Sequence, residues 1–300
     1  MAVIRKRMTD PVDWSWWRSF LAAAEAGSLS AAARTLGVTQ PTLSRHMDAL
    51  ESAVGQRLFV RTPQGLVATD AARALLPEAR AMALAAEALQ RRASGPEDAV
   101  AGDVRVSASH VVGIAVLPSI LAPLLHAHPA LRVELDLSNA SADLAHHAAD
   151  LAVRMVRPTQ ASLHARRLGS VRLGLFAHVD YLDRAGCPQT VEDLGSHVVI
   201  GPDRDAAALA GFAAAGVARD AITLRTDSEG AQLAAIRAGV GIGVMHADLG
   251  AADPSLRPVL PDLPLPALDA WLVVHADLRA LRRVRVVADH LAAHLGARWG

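Results

Sequence analysis

Residues 27–62, GSLSAAARTLGVTQPTLSRHMDALESAVGQRLFVRT, leave the backbone few alternatives. Ser28 is placed to cap a short helix, Ser30 to Leu36, and Gly37 follows it directly as a residue able to adopt the left-handed conformation that ends a helix. Val38 and Thr39 form a short turn. Thr39 then caps a second helix, Gln40 to Val54, with Pro41 in the first turn, where a missing N–H is tolerated. Leu43, Met47, Leu50 and Val54 recur at helical spacing and predict the buried face. The opposite face carries Pro41, Thr42, Ser44, Arg45 and Asp48, small or polar side chains that permit close approach to base edges and phosphates. RLFVRTPQGLVAT then reads as a hairpin turning at Thr62-Pro63-Gln64-Gly65, with Arg61 and Gln64 placed to face phosphate or the minor groove. Alone, this winged helix-turn-helix pattern also fits a three-helix core with no nucleic-acid role, so its context decides.

That context is a long helix and then a change of pattern. Residues 70–93, DAARALLPEARAMALAAEALQRRA, predict a helix of roughly 36 Å at about 1.5 Å rise per residue. Pro77 is expected to kink it or restrict its first turns. Leu75, Met82 and Leu89 with their alanine neighbours form a stripe suited to a second helix, of another subunit or of the chain's own domains. Ser94 to Asp98 reads as a hinge. From Asp103 strands and helices alternate. Strands are expected at Val104–Ser107, Arg132–Leu137 and Leu151–Arg154, then in VRLGLFA, HVVIG, ITLRT, GIGVM and WLVV. Helices are expected at Val111–His126, Ala140–Ala149, Ser228–Ala238 and Leu278–Leu295. This alternation argues an α/β fold with mainly parallel sheets, and about 200 residues of it suits two lobes.

Composition bounds the rest. Apolar residues make up 52% and charged residues 20%, a globular balance, and the formal net charge of +0 leaves any basic footprint local. Over residues 1–70, Arg5, Lys6, Arg7, Arg18, Arg34, Arg45, Arg57 and Arg61 outnumber Asp10, Asp13, Glu25, Asp48, Glu51 and Asp70 by a net +2. Cys187 is the only cysteine, so neither an intramolecular disulfide nor a cysteine-rich zinc site can form, and redox sensing by a cysteine pair within one subunit is excluded. The histidines are scattered; His146 and His147 are adjacent and do not share a helix face, so no metal site is expected. No apolar stretch follows Arg5–Arg7 as in a signal peptide, and His110–Leu131 is broken by prolines and histidines. The reading is a cytoplasmic protein without cofactor or metal.

Over nearly its full length the chain resembles the LysR-type bacterial transcriptional regulators. The resemblance is carried by FLAAAEAGSLSAAARTLGVTQPTLSRHMDALESAVGQRLFVRT (Phe20–Thr62), HPALRVEL (His128–Leu135), DLAVR (Asp150–Arg154) and AIRAGVGIGVM (Ala235–Met245), in that order. It implies an N-terminal winged helix-turn-helix (residues 1–69), a linker helix that dimerises (70–94) and a C-terminal α/β effector-binding domain (95–300). The last resembles two-lobed periplasmic binding proteins, with one lobe at about 95–163 and 268–300 and the other at about 164–267. Homotetramers on double-stranded DNA, and small carboxylate or aromatic effectors, are common in the family. Thr39, Gln40, Pro41, Thr42, Ser44 and Arg45 match its recognition-helix positions, Arg34 and Arg61 match positions that often face the DNA backbone, and Ser28, Ser30 and Gln64 complete the DNA-binding candidates. One departure is Thr69-Asp70-Ala71-Ala72, where the family usually has Thr-x-Ala-Gly.

In a two-lobed α/β module a ligand sits at the carboxyl ends of strands, between the lobes. The strand-end residues are Ser107, Ser109, His110, Ser138, Asn139, Ser141 and Arg154 in the first lobe, and Gly201, Pro202, Asp227, Ser228, Met245 and His246 in the second. Ser109, Ser138 and Ser228 equally fit ordinary helix caps, Arg154 a structural ion-pair partner, and His110 and His246 surface or core histidines. An α/β enzyme is the competing reading. Against it, no phosphate-cradling glycine loop follows the first strand, no nucleophile elbow or metal-ligand spacing is present, and Gly239–Gly243 leads into a strand. A plain solute-binding protein is opposed by the N-terminal helix-turn-helix.

Overall fold

The computed structural model describes residues 12–63, 65–96, 98–139, 149–160 and 163–300. They form two compact units that divide between Leu89 and Gln90. The expected residues Gln64 and Ser141, the basic cluster Arg5–Arg7 and nearly all of the helix expected from Ala140 lie outside the described residues.

The first unit contains α1 (Trp14–Ala26), α2 (Leu29–Leu36), α3 (Gln40–Val54), the hairpin β1 (Phe59–Thr62) and β2 (Gly65–Ala68), and α4 (Asp70–Ala93), which continues into the second unit. Each helix start is capped by the residue just before it. Asp13 accepts from Ser15 N at 2.7 Å, Ser28 from Ala31 N at 3.5 Å and Thr39 from Thr42 N at 3.3 Å. Gly37, at φ 66°, takes the left-handed turn between α2 and α3 that a side chain would strain. Phe20, Leu43, Leu50 and Leu58 are fully buried and Met47 nearly so, the face that the helical spacing predicted, with Val54 packed at its rim. Glu51 holds the approach to the hairpin, accepting from Leu58 N at 2.8 Å and Phe59 N at 3.2 Å. Leu66 N donates to Gly27 O at 2.8 Å, which fixes the hairpin to the turn before α2. The Thr69 hydroxyl starts α4 by accepting from Ala72 N at 3.2 Å, and Ala72 is fully buried, so alanine serves where the family has glycine. α4 runs unbroken through Pro77.

The second unit begins with β3 (Gly102–Ala108), then a helix entered at His110 that makes a wide π turn over Val112–Val116 and continues as α5 (Leu117–Ala127). β4 (Leu131–Leu137), β5 (Leu151–Arg154), β6 (Leu163–Val171), β7 (Leu173–His178), α6 (Val179–Ala185), β8 (Val199–Gly201), α7 (Ala206–Ala214) and β9 (Ile222–Arg225) follow. Then come α8 (Glu229–Arg237), β10 (Ile242–His246), α9 (Ala247–Ala252), β11 (Leu256–Val259), β12 (Leu268–His275) and α10 (Arg282–Trp299). Two five-stranded sheets result, in the orders β4-β3-β5-β12-β6 and β11-β7-β10-β8-β9, one for each lobe.

The sheets are mixed rather than mainly parallel. β3 pairs in parallel with β4 and β5, and β8 with β9 and β10. The strands beside the crossings between lobes pair antiparallel: β12 with β5 and β6, and β7 with β10 and β11. Two return passes of the chain impose this. β6 belongs to the first sheet along its whole length, from Leu163 opposite His275 to Val171 opposite Leu268. The chain therefore leaves the first sheet at Arg172, beyond the expected 163–164, and returns to it with β12. A continuous buried cluster joins Val104, Val106 and Leu151 of the first lobe, Phe176, Ile236 and Met245 of the second, and Leu291, Leu295 and Trp299 of α10.

Candidate nucleic-acid interface and ligand cleft

The outer face of α3 is built by subtraction. With Leu43, Met47 and Leu50 in the core, Thr39, Gln40, Pro41 and Arg45 are exposed and Thr42 and Ser44 half-buried. Thr39 and Thr42 hold their hydroxyls 2.9 Å apart across the first turn, and Ser30 donates to Gln40 Oε1 at 2.9 Å, bridging α2 to α3. Among the described residues Arg34, Arg45 and Arg61 are exposed with no hydrogen bond or ion pair. A helix start with its partial positive charge, two hydroxyls and unpaired guanidinium groups nearby favours a polyanion. Ser28 and Thr39 also serve the fold, their hydroxyls capping α2 and α3.

The expected effector residues separate into framework and cleft. Ser107 and Arg154 are buried and bound to each other, Arg154 Nη2 donating to Ser107 Oγ at 2.7 Å, while Ser107 Oγ also reaches Asp136 Oδ2 at 3.4 Å. Arg154 is thus tied into the framework through a hydroxyl. Gly201 and Pro202 are buried packing positions; a Cβ on Gly201 would come within 2.9 Å of the Phe212 ring. Asp227 organises the loop before α7, accepting from the N–H groups of Asp203, Arg204 and Asp205 at 2.9–3.1 Å. Those backbone donors, Arg204 first, hold its carboxyl below the usual carboxylate range. Ser228 caps α8 by accepting from Ala231 N at 3.3 Å. Met245 is core, and Ser138 donates its N–H to Ala108 O. His246 is buried with its ring edge-on to Trp299, and burial pushes its pKa below the ordinary histidine value, opposed by Asp248 and assisted by Arg298.

Ser109, His110 and Asn139 remain half-buried or exposed at the carboxyl ends of β3 and β4. His110 N donates to Asn139 Oδ1 at 3.4 Å. Facing them from the second lobe is Glu229, a residue not anticipated. Its Oε1 accepts from Asn139 Nδ2 at 3.2 Å and its Oε2 from Val111 N at 3.5 Å. An acidic residue in the first turn of a helix is ordinary, so nothing in the sequence distinguishes it. A groove of 570 Å³ elsewhere on the first lobe, lined by His164, Arg166, Arg279 and Arg285 among others, contains none of the expected effector residues.

A second unanticipated residue is Arg283, in the first turn of α10 and 1% exposed. Its guanidinium donates to the carbonyls of Arg91 at 2.8 Å, Arg92 at 2.9 Å, Asp103 at 3.3 Å and Gly95 at 3.4 Å. Arg91 and Arg92 end α4, and Arg283 caps it together with Ser94, whose N–H and hydroxyl donate to Arg91 O at 3.1 and 2.7 Å. Arg91 itself forms a buried ion pair with Asp150, with 3.3 Å between Nε and Oδ2.

Known proteins place both units. Residues 14–73 match the bacterial regulatory helix-turn-helix protein, lysR family, and residues 97–296 the LysR substrate binding domain. A probable HTH-type transcriptional regulator LtrA of Klebsiella pneumoniae is 28% identical over 91% of this chain and 92% of that protein. An HTH-type transcriptional regulator of Xanthomonas campestris pv. campestris is 33% identical over 59% of this chain, a stretch that is 52% of that protein's length. Among solved structures, the LysR family transcriptional regulator CbnR covers 95% of this chain and 99% of its own, at 20% identity and a TM-score of 0.66. CrgA of Neisseria meningitidis covers 95% and 100%, at 23% and 0.59.

Proposed function

This chain belongs to the LysR family of bacterial transcriptional regulators, with a DNA-binding helix-turn-helix and an effector-binding substrate domain, and from that premise we propose how its parts divide the work. α3 reads operator DNA in the major groove through Thr39, Gln40, Pro41, Thr42, Ser44 and Arg45, with Ser30 setting the position of Gln40. Arg34 and Arg61 contact phosphates. The observation that carries this reading is the outward face of α3 and its flanks, where the exposed guanidinium groups of Arg34, Arg45 and Arg61 have no partner among the described residues.

α4 pairs two subunits. Met82 and Leu89 of its stripe are 45% and 65% exposed, apolar surface that its own chain leaves uncovered, whereas Leu75 packs on the first unit's core. Two such dimers form the homotetramer. A small effector binds between the lobes beside Ser109, His110 and Asn139, and the shift in lobe closure changes the spacing of the paired DNA-binding units. The protein is a cytoplasmic regulator rather than an enzyme; no helix among the described residues is long and apolar enough to cross a membrane.

The test is a gel shift with the DNA upstream of the protein's own gene, run at increasing salt. Retardation that weakens steeply with salt, as released counterions require, supports the reading; no retardation at low salt overturns it.

A further inference from the structure

The cleft holds a carboxylate that belongs to the protein. The helix entered at His110 in the first lobe and α8 in the second present their N-terminal ends to each other, and each end carries partial positive charge and unpaired N–H groups. Glu229 lies between them. It stands in the first turn of α8 and reaches across the cleft, accepting from Val111 N at 3.5 Å and from Asn139 Nδ2 at 3.2 Å. Asn139 in turn takes the neighbouring donor, His110 N, at 3.4 Å. The lobes touch here: a Cβ on Gly230 would fall 2.9 Å from the side-chain tip of Ile114, Cδ1, in the opposite lobe. Among the described residues no arginine or histidine is paired with Glu229. Its charge is balanced by two helix ends and one side-chain amide.

We propose that Glu229 fills the carboxylate position of the effector cleft, so that this regulator answers to a non-anionic effector that brings an N–H or O–H donor to Glu229, an amine or a hydroxyl compound. The inference rests on reading the cleft as the effector site. A carboxylate ligand would have to displace Glu229 from Val111 N and Asn139 Nδ2 or be placed beside a like charge, and both cost binding energy. A donor-bearing ligand meets a carboxylate with unused lone pairs and no competing cation. The carboxylate common among family effectors is thus replaced in this chain by a side chain, and Glu229 acts as a specificity-determining residue.

Chemical rescue tests this in the full-length protein. Thermal unfolding of wild type and Glu229→Ala is followed with sodium acetate against sodium chloride at equal ionic strength, then with benzoate against benzylamine. In Glu229→Ala, acetate and benzoate are expected to raise the melting temperature saturably, with at least fivefold higher apparent affinity than for wild type. Wild type is expected to treat acetate like chloride and to prefer benzylamine to benzoate. Asn139→Ala, at an exposed position, loosens the same carboxylate and is expected to move in the same direction by less; it serves as the readout if Glu229→Ala does not fold. The proposal is overturned if acetate and chloride act alike on the variants, or if benzoate stabilises wild type as strongly as Glu229→Ala. Operator binding measured in the same samples separates the two readings. Binding indifferent to every probe counts against the cleft as the control site, whereas the carboxylate preference stands or falls on the melting curves alone.

Discussion

The helix that starts at Gln40 and the helix entered at His110 face the same problem, N–H groups with no partner inside the helix, and solve it differently. α3 is capped by Thr39, the residue immediately before it, which leaves its outer face free. The helix at His110 is served by Asn139 and by Glu229, the latter 118 residues from Val111 in the chain. The C-terminal ends repeat the contrast. α3 stops at Gly55, in the left-handed conformation, while α4 is closed by Arg283, 192 residues beyond Arg91. The first unit finishes its helices with neighbours and keeps side chains for a partner. In the second, α8 is likewise capped by its neighbour Ser228, but the helix at His110 and the end of α4 draw on distant residues, which tie separate segments together.

The contrast is best broken where the distant cap is strongest. Arg283→Leu leaves the carbonyls that end α4 without their buried donor, and a loss on the order of 3 kcal/mol from the second unit is expected in urea unfolding. A loss no larger than that of a local cap would erase the distinction. Next is Arg45→Ala, which takes a side chain from a free face. Operator affinity should fall about 10- to 100-fold by fluorescence anisotropy while the unfolding midpoint holds; binding as tight as wild type removes Arg45 from the interface. Thr39→Ala probes a local cap and should cost the first unit about 1 kcal/mol by thermal unfolding.

The smallest effect sharpens the second unit's dependence on packing. Burial lowers the pKa of His246 in the folded state, so the unfolded chain takes up the proton first. Stability is then fully present above the unfolded value near 6.5 and is lost as pH falls below it toward the folded value. His246→Gln should flatten this acid loss in a series of melts from pH 7.5 to 5; an unchanged slope would place the acid sensitivity in another group.

The same division explains what could be read from the sequence. Ser28, Gly37, Thr39 and Pro41 announce α2 and α3 because each acts within a few residues of itself, and the spacing of Leu43, Met47 and Leu50 follows from a single helix. β11, Leu-Arg-Pro-Val, escaped notice because Pro258 argues against a strand, yet it lies at a sheet edge, where a missing N–H is tolerated. The start of β6 was missed because Leu163 to Arg167 owe their strand to β12 and not to their own pattern. In the cleft, the alternation of elements marks where strands end, but which side chains there are tied into the framework depends on pairs such as Ser107 with Arg154, joined across 47 positions. Glu229 and Arg283 are ordinary residues for the first turns of their helices until the segments they meet are known.

Cys187, in the loop after α6, is exposed and is the only thiol in the chain. A maleimide dye therefore attaches to the second lobe alone, and of the chain's five tryptophans Trp271 and Trp299 stand in the first lobe as energy donors. With Trp14, Trp16 and Trp17 of the first unit replaced by phenylalanine, these make an optical ruler between the two lobes, on which the proposed lobe closure can be followed.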